Sequence, residues 1–273
     1  MSLMCRNNHT AHMSHVLKNQ IEGCGIAACL IDIDATITTN RTAPQMDPGY
    51  IMNNAIFDVI AQFMYEQGWE YNAVADAFAG HEKSNTYWDY PDFLKALDLP
   101  EEEVWNRIVR WHNEHIVSYK DAVSMVKRLH VAGIPLFIVS NNPLSGCLLK
   151  LQSAGLAGPN DSPYFREILG TNVCMGGKWS LEFWQRCMDR TGYEPGQLAV
   201  IGDNPREDCT LPRSLGVETV FLVDRKRERR FEKTPEAFMV NTLDCVPEIL
   251  LPTFRPHAPM QKESEKPRLA GLV

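Results

Sequence analysis

Hydrophobic and polar positions divide the chain into segments of different period. Residues 25–33 read GIAACLIDI, a near-continuous apolar run that stops at Asp34. So short a run without alternation predicts a strand buried on both faces. The polar residues Thr36 to Asn40 that follow predict a turn. From about Pro44 to Ser118 the period becomes helical. Ile51, Ala55, Ile56, Val59, Ile60, Phe63 and Met64 mark one helix ending at Gly68. Tyr71 to Phe78 predicts a second helix, closed by Gly80, and Pro91 opens a short third through Leu97. Pro100-Glu101-Glu102-Glu103 starts a fourth, with acids at the positive end of its dipole, expected to run to Val117. No strand pattern appears in this stretch.

Strand and helix signals then alternate. A helix is expected over 121–131, a strand over 134–139, a helix over 144–154 and another over 180–190. Strands follow at 198–201 and, finally, 217–223. Such alternation implies an α/β protein with a parallel sheet covered by helices on both faces. Ligands of such sheets bind at the carboxyl ends of the strands. The expected partition is a loose arm over 1–20, an α/β core over 21–43 and 118–250, a helical insert over 44–117, and a disordered Pro-, Lys- and Glu-rich tail over 251–273.

Composition narrows the class. The 273 residues suffice for one core and an insert. A net charge of −7 argues against a dedicated nucleic-acid binder. The polar N-terminal stretch lacks a signal-peptide pattern, and the first long apolar run is too short to span a membrane. A cytoplasmic protein without membrane or nucleic-acid partners is expected. The eight cysteines form no CxxC pair and no zinc-type spacing, so reduced, structural thiols are expected.

Chemistry-bearing residues collect at the expected strand ends. The first strand delivers Asp32, Asp34 and Thr36; the second delivers Ser140, Asn141 and Asn142. Gly176-Gly177-Lys178 precedes a helix, and a later strand delivers Gly202-Asp203-Asn204, with Asp208 five residues beyond Asp203. Taken singly, Asp203 reads as a cap or turn residue, Ser140-Asn141 as a turn and Lys178 as a solvated lysine. Together they place several acids at one sheet edge, where carboxylates repel and need a cation or proton between them. Oxygen donors suit a hard divalent cation such as Mg2+. Lys178, the Ser140 hydroxyl and backbone N–H groups add donors for an oxyanion, which points to a phosphoryl group.

In order and spacing these residues resemble the haloacid dehalogenase-like superfamily. Its DxDxT motif matches Asp32, Asp34 and Thr36, and its apolar strand ending in Ser or Thr matches LFIVS at Ser140. Its lysine ahead of a helix matches Lys178, and GDxxxxD matches Gly202, Asp203 and Asp208, with 25 residues from Lys178 to Asp203. The resemblance covers roughly 26–42 and 120–224. Ala35 stands where the family often has Gly, and Trp179 where Pro commonly follows the lysine. Asn142-Pro143 looks unremarkable.

The resemblance implies a Rossmann-like core with a helical cap between the first and second motifs. It implies a Mg2+-dependent hydrolase of a small phosphomonoester acting through an aspartyl-phosphate. Asp32 would be the nucleophile and Asp34 the general acid and base. Asp32 and Asp203 would hold the metal with the main chain of Asp34, and Asp208 would act through water or by holding Lys178. Ser140 and the backbone at Asn141 would bind phosphoryl oxygens, Lys178 would neutralise charge, and Thr36 would position the turn. The dehalogenases lack an acid at the Asp34 position because halide needs no proton. Phosphonatases resemble them in lacking it and use a cap lysine; Lys83 and Lys95 lie in the insert, but Asp34 argues against that reading. A phosphotransferase such as a sugar phosphomutase and a non-catalytic binding protein are the alternatives.

Other residues carry further expectations. Gly80 to Asn85 could be a cap loop facing the phosphoryl site, and Arg41 could meet a substrate anion. The aromatic-rich insert reads as helix packing. His112 and His115, three apart, lack a third metal partner. Arg225 to Arg230 reads as a solvated basic stretch.

Overall fold

The computed structural model describes residues 25–40, 48–84, 87–252 and 254. The expected N-terminal arm, Arg41, residues 42–47 and nearly all of the expected tail lie outside them. In chain order the elements are β1 (Ala28–Ile31), β2 (Thr38–Asn40), α1 (Pro48–Glu66), α2 (Tyr71–Ser84), α3 (Tyr90–Ala96), α4 (Glu101–His115), β3 (Ile116–Ser118), α5 (Lys120–Val131), β4 (Leu136–Val139), α6 (Leu144–Ser153), β5 (Glu167–Leu169), α7 (Thr171–Cys174), α8 (Leu181–Thr191), β6 (Leu198–Gly202), α9 (Leu211–Ser214), β7 (Thr219–Val223), β8 (Phe231–Lys233), β9 (Phe238–Val240) and α10 (Cys245–Leu250).

Seven strands form one sheet in the order β5-β4-β1-β6-β7-β9-β8, parallel throughout except for the β8–β9 pair. β1 lies inside the sheet, between β4 and β6. Cys29 and Ile31 face a core shared with Met125 and Leu129 of α5 and Leu151 of α6. Ala28 and Leu30 face the opposite core, with Phe183, Trp184 and Cys187 of α8. Both faces are therefore apolar, which explains the unbroken run in the sequence. Each buried Leu or Ile contributes roughly 1.5–3 kcal/mol relative to exposure.

The cap has its own core. Ile56, Ile60 and Phe63 of α1 pack with Phe93 of α3 and with Val104 and Ile108 of α4, and Leu149 of α6 joins them from the sheet domain. The cap aromatics pack on one another: Trp88 stacks on Phe93 at 4.6 Å, and Phe57 meets Phe78, Trp88 and Phe93 at 5.6, 5.6 and 5.7 Å. β2 and β3 pair antiparallel, Thr38 opposite Ser118 and Asn40 opposite Ile116, and form the stem through which the chain leaves and re-enters the core.

Several expectations are corrected. The fourth helix stops at His115, because Ile116 adopts extended backbone and the β-branched pair Ile116-Val117 joins β2. α2 continues through Gly80 to Ser84, so 80–84 are helix and not a loop; buried His81 packs against Trp88 and Phe93. Val223 does not end the sheet: β9 and β8 extend it, and β5 borders β4 at the opposite edge. These three-residue strands are too short and mixed in polarity to show a period. The basic run is partly tied down. Arg225 donates to Asp121 at 2.7 Å and to the Thr36 carbonyl at 3.1 Å, and its guanidinium lies 3.6 Å from the Tyr119 ring centroid. Arg227 pairs with Glu232, and Arg230 with Glu248 at 3.5 Å. Six cysteines among the described residues are free and buried. No described helix is long and apolar enough to cross a membrane.

Candidate active site

β1 places Asp32 at the carboxyl edge of the sheet, where its N–H donates to the Ile201 carbonyl of β6 at 2.9 Å. The chain then coils through a tight turn. Ile37 and Thr38 both donate to the Ile33 carbonyl, at 2.7 and 2.9 Å, and Ala35 takes a left-handed φ of 56°. The turn brings the Thr36 hydroxyl back to donate to Asp32 Oδ2 at 3.3 Å.

Lys178 reaches Asp32 Oδ1 at 2.7 Å and Asp208 Oδ1 at 2.6 Å, and all three side chains are buried. Its backbone is fixed on both sides. Lys178 N–H donates to Asn141 Oδ1 at 2.7 Å, and Trp184 Nε1 donates to the Lys178 carbonyl at 3.1 Å. Ser180 caps the following helix by accepting from Phe183 N–H. Burial alone would lower the ammonium's pKa, but the carboxylates of Asp208 and Asp32 hold it above the ordinary lysine range.

Asp208 folds back on the end of β6, its Oδ2 accepting from the N–H groups of Asp203 at 3.2 Å and Asn204 at 3.0 Å. A Cβ on Gly202 would sit 2.3 Å from the Asp208 carboxyl carbon, so this approach requires glycine there. Both Asp208 oxygens are thus engaged, one with Lys178 and one with backbone.

Asp32, Asp203 and Asp208 offer carboxylate oxygens within 4.8 Å of one another. Burial pushes the Asp32 carboxyl well up, with Lys178 pulling against it. Burial, then Asp208, pushes Asp203 up to about 7. Crowded, desolvated carboxylates with only oxygen donors fit a hard divalent cation. Asp208 Oδ2 is taken by two backbone N–H groups, whereas among the described residues Asp32 Oδ2 meets just the Thr36 hydroxyl at 3.3 Å, so Asp32 and Asp203 are the side chains best placed to hold it.

Ser140 Oγ accepts from Asn142 N–H at 3.1 Å and from Asn142 Nδ2 at 2.9 Å. The Asn141 side chain is spent on scaffold, accepting from Lys178 and donating to Glu207 Oε2 at 2.9 Å. The motif residues Asp32, Asp34, Thr36, Ser140, Asn141, Lys178, Asp203 and Asp208 converge at this sheet edge.

The surroundings of Asp34 are not evident from the sequence motifs. Lys150 Nζ donates to both Asp34 oxygens at 2.9 Å and to Asn142 Oδ1 at 2.8 Å, while Asn142 Nδ2 donates to Asp34 Oδ2 at 2.7 Å. Lys150 is fully buried and Asn142 nearly so. Asn142 is therefore the hub joining Ser140 to Asp34, not an unremarkable turn residue. A signal for Lys150 existed: it lies three residues after Cys147 and four before Ala154, on the buried face of α6. No signal for Asn142 stood apart from the turn.

His112 of the cap also comes close. Its Nδ1–H donates to the Ile108 carbonyl at 3.0 Å, and its buried Nε2 has no hydrogen-bond partner among the described residues. Burial lowers its pKa to about 4, and the charge of Lys150 adds to the effect. His115 instead donates to the Trp111 carbonyl at 2.9 Å and stacks on Trp111. Each histidine is bound to its own helix, and among the described residues the acidic trio is the one metal-type cluster.

The family model of the haloacid dehalogenase-like hydrolases matches residues 26–216. Similar solved structures include a HAD phosphatase from Thermococcus onnurineus, with 22% identity, a TM-score of 0.53, and coverage of 82% of this chain and 98% of that one. A 2-haloacid dehalogenase from Pseudomonas syringae pv. Tomato DC3000 has 15% identity and a TM-score of 0.54, over 82% of this chain and 98% of that one. At these identities the likeness shows the fold, which phosphatases and dehalogenases share. No curated protein matches the chain. The matched span includes every motif residue gathered at the sheet edge, and the chain belongs to the haloacid dehalogenase-like hydrolases.

Proposed function

We propose that the chain hydrolyses a small phosphomonoester, with Mg2+ and an aspartyl-phosphate on Asp32. One observation carries this reading: a second carboxylate, Asp34, stands two residues after the nucleophile and is held by Lys150 and Asn142. An alkoxide leaves poorly without a proton, whereas a halide leaves as the anion, so an acid at this position serves an ester and not a haloacid.

In this reading an Asp32 oxygen attacks phosphorus, the bond from phosphorus to the ester oxygen breaks, and that oxygen takes the proton of Asp34. Asp34 then removes a proton from water, which attacks the aspartyl-phosphate and releases phosphate and free Asp32. Lys178, paired with Asp32 and Asp208, offsets the charge of the phosphoryl group. The Ser140 hydroxyl and the Asn141 backbone bind its oxygens. Thr36 holds Asp32 Oδ2. Mg2+, when bound by Asp32, Asp203 and the Asp34 main chain, supplies the remaining neutralisation. The helical cap closes over the site and favours a small molecule over nucleic acid or membrane, in keeping with a cytoplasmic enzyme.

A panel of phosphate esters and 2-haloacids, assayed with Mg2+ and with EDTA, tests this. Phosphate release from single monoesters is expected, lost in EDTA and abolished by Asp32→Asn. Halide release that survives EDTA would overturn the reading, and a requirement for a bisphosphate would move it to a phosphotransferase.

A further inference from the structure

Lys150 is a fully buried lysine 116 residues away from the carboxylate it contacts. A buried cation is costly unless paired and hydrogen-bonded. Its donors go to Asp34 Oδ1, Asp34 Oδ2 and Asn142 Oδ1. Asn142 closes the triangle by donating to Asp34 Oδ2 and ties it to Ser140. The Asp34 side chain is itself 15% exposed, so its carboxylate stands between the buried triangle and the open site.

The two Asp34 oxygens are not equivalent. Among the described residues Oδ2 accepts from Lys150 and from Asn142, whereas Oδ1 accepts from Lys150 alone. A protonated Asp34 can keep Oδ2 as its carbonyl acceptor for both partners and present the O–H from Oδ1. An ionised Asp34 keeps a lone pair on the same Oδ1. One orientation therefore serves both halves of a proton shuttle.

We propose that Lys150 is a positioning residue that, with Asn142, locks the Asp34 carboxylate so that Oδ1 carries the transferred proton. The proposal rests on the reading of Asp34 as acid and base. It places Lys150 outside the reacting atoms, acting through Asp34. It also identifies the substrates that need it: esters of unactivated alcohols, whose leaving oxygen requires the proton. Esters of acidic phenols leave without one.

The test compares kcat/KM for the fastest alkyl phosphate of the panel with that for p-nitrophenyl phosphate, because kcat/KM reports formation of the aspartyl-phosphate. Lys150→Met is expected to lower the alkyl value by about 10²-fold, the low end of general-acid contributions, and the aryl value by less than about tenfold. Asp34→Asn is expected to shift the alkyl-to-aryl ratio the same way. The double variant Lys150→Met/Asp34→Asn removes both charges together, so it folds even where the single lysine variant leaves an unpaired carboxylate. It is expected to be no slower than Asp34→Asn alone, since Lys150 acts only through Asp34.

Equal losses on both esters, an unchanged alkyl rate in Lys150→Met, or effects that multiply in the double variant would overturn the proposal while leaving Asp34 in its role. If the wild type releases phosphate from no monoester, or Asp34→Asn keeps the full alkyl rate, the acid–base reading itself falls and takes the proposal with it.

Discussion

The carboxylate of Asp89, in the cap, caps a helix of the core at Ser145. It accepts from Ser145 N–H at 3.2 and 3.3 Å and from the Ser145 hydroxyl, and also from its own Tyr90 N–H at 2.9 Å. One side chain thus serves the starts of α3 and α6. A Cβ on the next residue, Gly146, would sit 2.8 Å from the Tyr90 ring, so cap and core meet closely here. A lost N-cap costs about 1 kcal/mol, and two are lost together in Asp89→Ala. Urea unfolding of Asp89→Ala is expected to show a loss of about 2 kcal/mol, with Asp89→Asn recovering most of it. A variant as stable as the wild type would show that the cap is docked by apolar contacts alone.

Ala35 carries a strained backbone. Its φ of 56° lies in the left-handed region, which costs a non-glycine residue roughly 1–2 kcal/mol. Glycine removes that cost but gives back about 0.4–1 kcal/mol in unfolded-chain entropy. Ala35→Gly is therefore expected to raise stability by up to about 1 kcal/mol, and Ala35→Val, branched at Cβ, to lower it. Denaturant midpoints of the two variants measure this. An Ala35→Val protein more stable than Ala35→Gly would contradict the strain.

The motifs were legible in the sequence because strand ends deliver them: β1, β4 and β6 are short, wholly apolar runs, and each ends in polar residues at the site. The partners of Asp34 were not. The spacing of Lys150 from Cys147 and Ala154 points to a buried face, but what it and Asn142 bind is decided only when α6 packs beside the β1 turn, a tertiary fact. Asn142 looks like any turn residue, and Lys150 like a helix lysine until its face is known to be buried. The stem was hidden for a similar reason. Ile116-Val117 continues the apolar pattern of α4, and only pairing with β2 makes it a strand. The edge strands β5 and β8 have too few residues to show a period.

His112 makes stability depend on acid. Its folded pKa, lowered to about 4 by burial and then by Lys150, lies below the ordinary histidine value of about 6.5. Between those values the unfolded chain binds more protons than the folded one. The stability difference is therefore fully present above about pH 6.5 and is lost as pH falls towards about 4. At 1.36 kcal/mol per unit the loss is on the order of 3 kcal/mol. His112→Phe keeps the ring volume and removes the proton. Its unfolding free energy is expected to fall less steeply than the wild type's from pH 6.5 to 4. Parallel profiles would mean that His112 does not titrate in the folded chain.

Asp203 gives the opposite sign. Burial, then Asp208, raises it to about 7, above the ordinary aspartate value near 3.9. Between these values the folded chain holds the extra proton, so the stability of the metal-free protein falls as pH rises from about 4 to about 7. A divalent cation bound at the acidic trio would compete with that proton. Mg2+ is therefore expected to raise Tm more at pH 8 than at pH 5.5, and at 100 times its Kd it adds about 2.7 kcal/mol. Asp203→Asn removes both the proton and the proposed ligand. Its Tm in EDTA is expected to exceed the wild type's at pH 8, where the wild type carries the full repulsion between Asp203 and Asp208, while its Mg2+-induced shift shrinks. Thermal unfolding with EDTA and with Mg2+ at the two pH values separates these effects. A Mg2+ shift as large in Asp203→Asn as in the wild type would place the cation elsewhere than on Asp203.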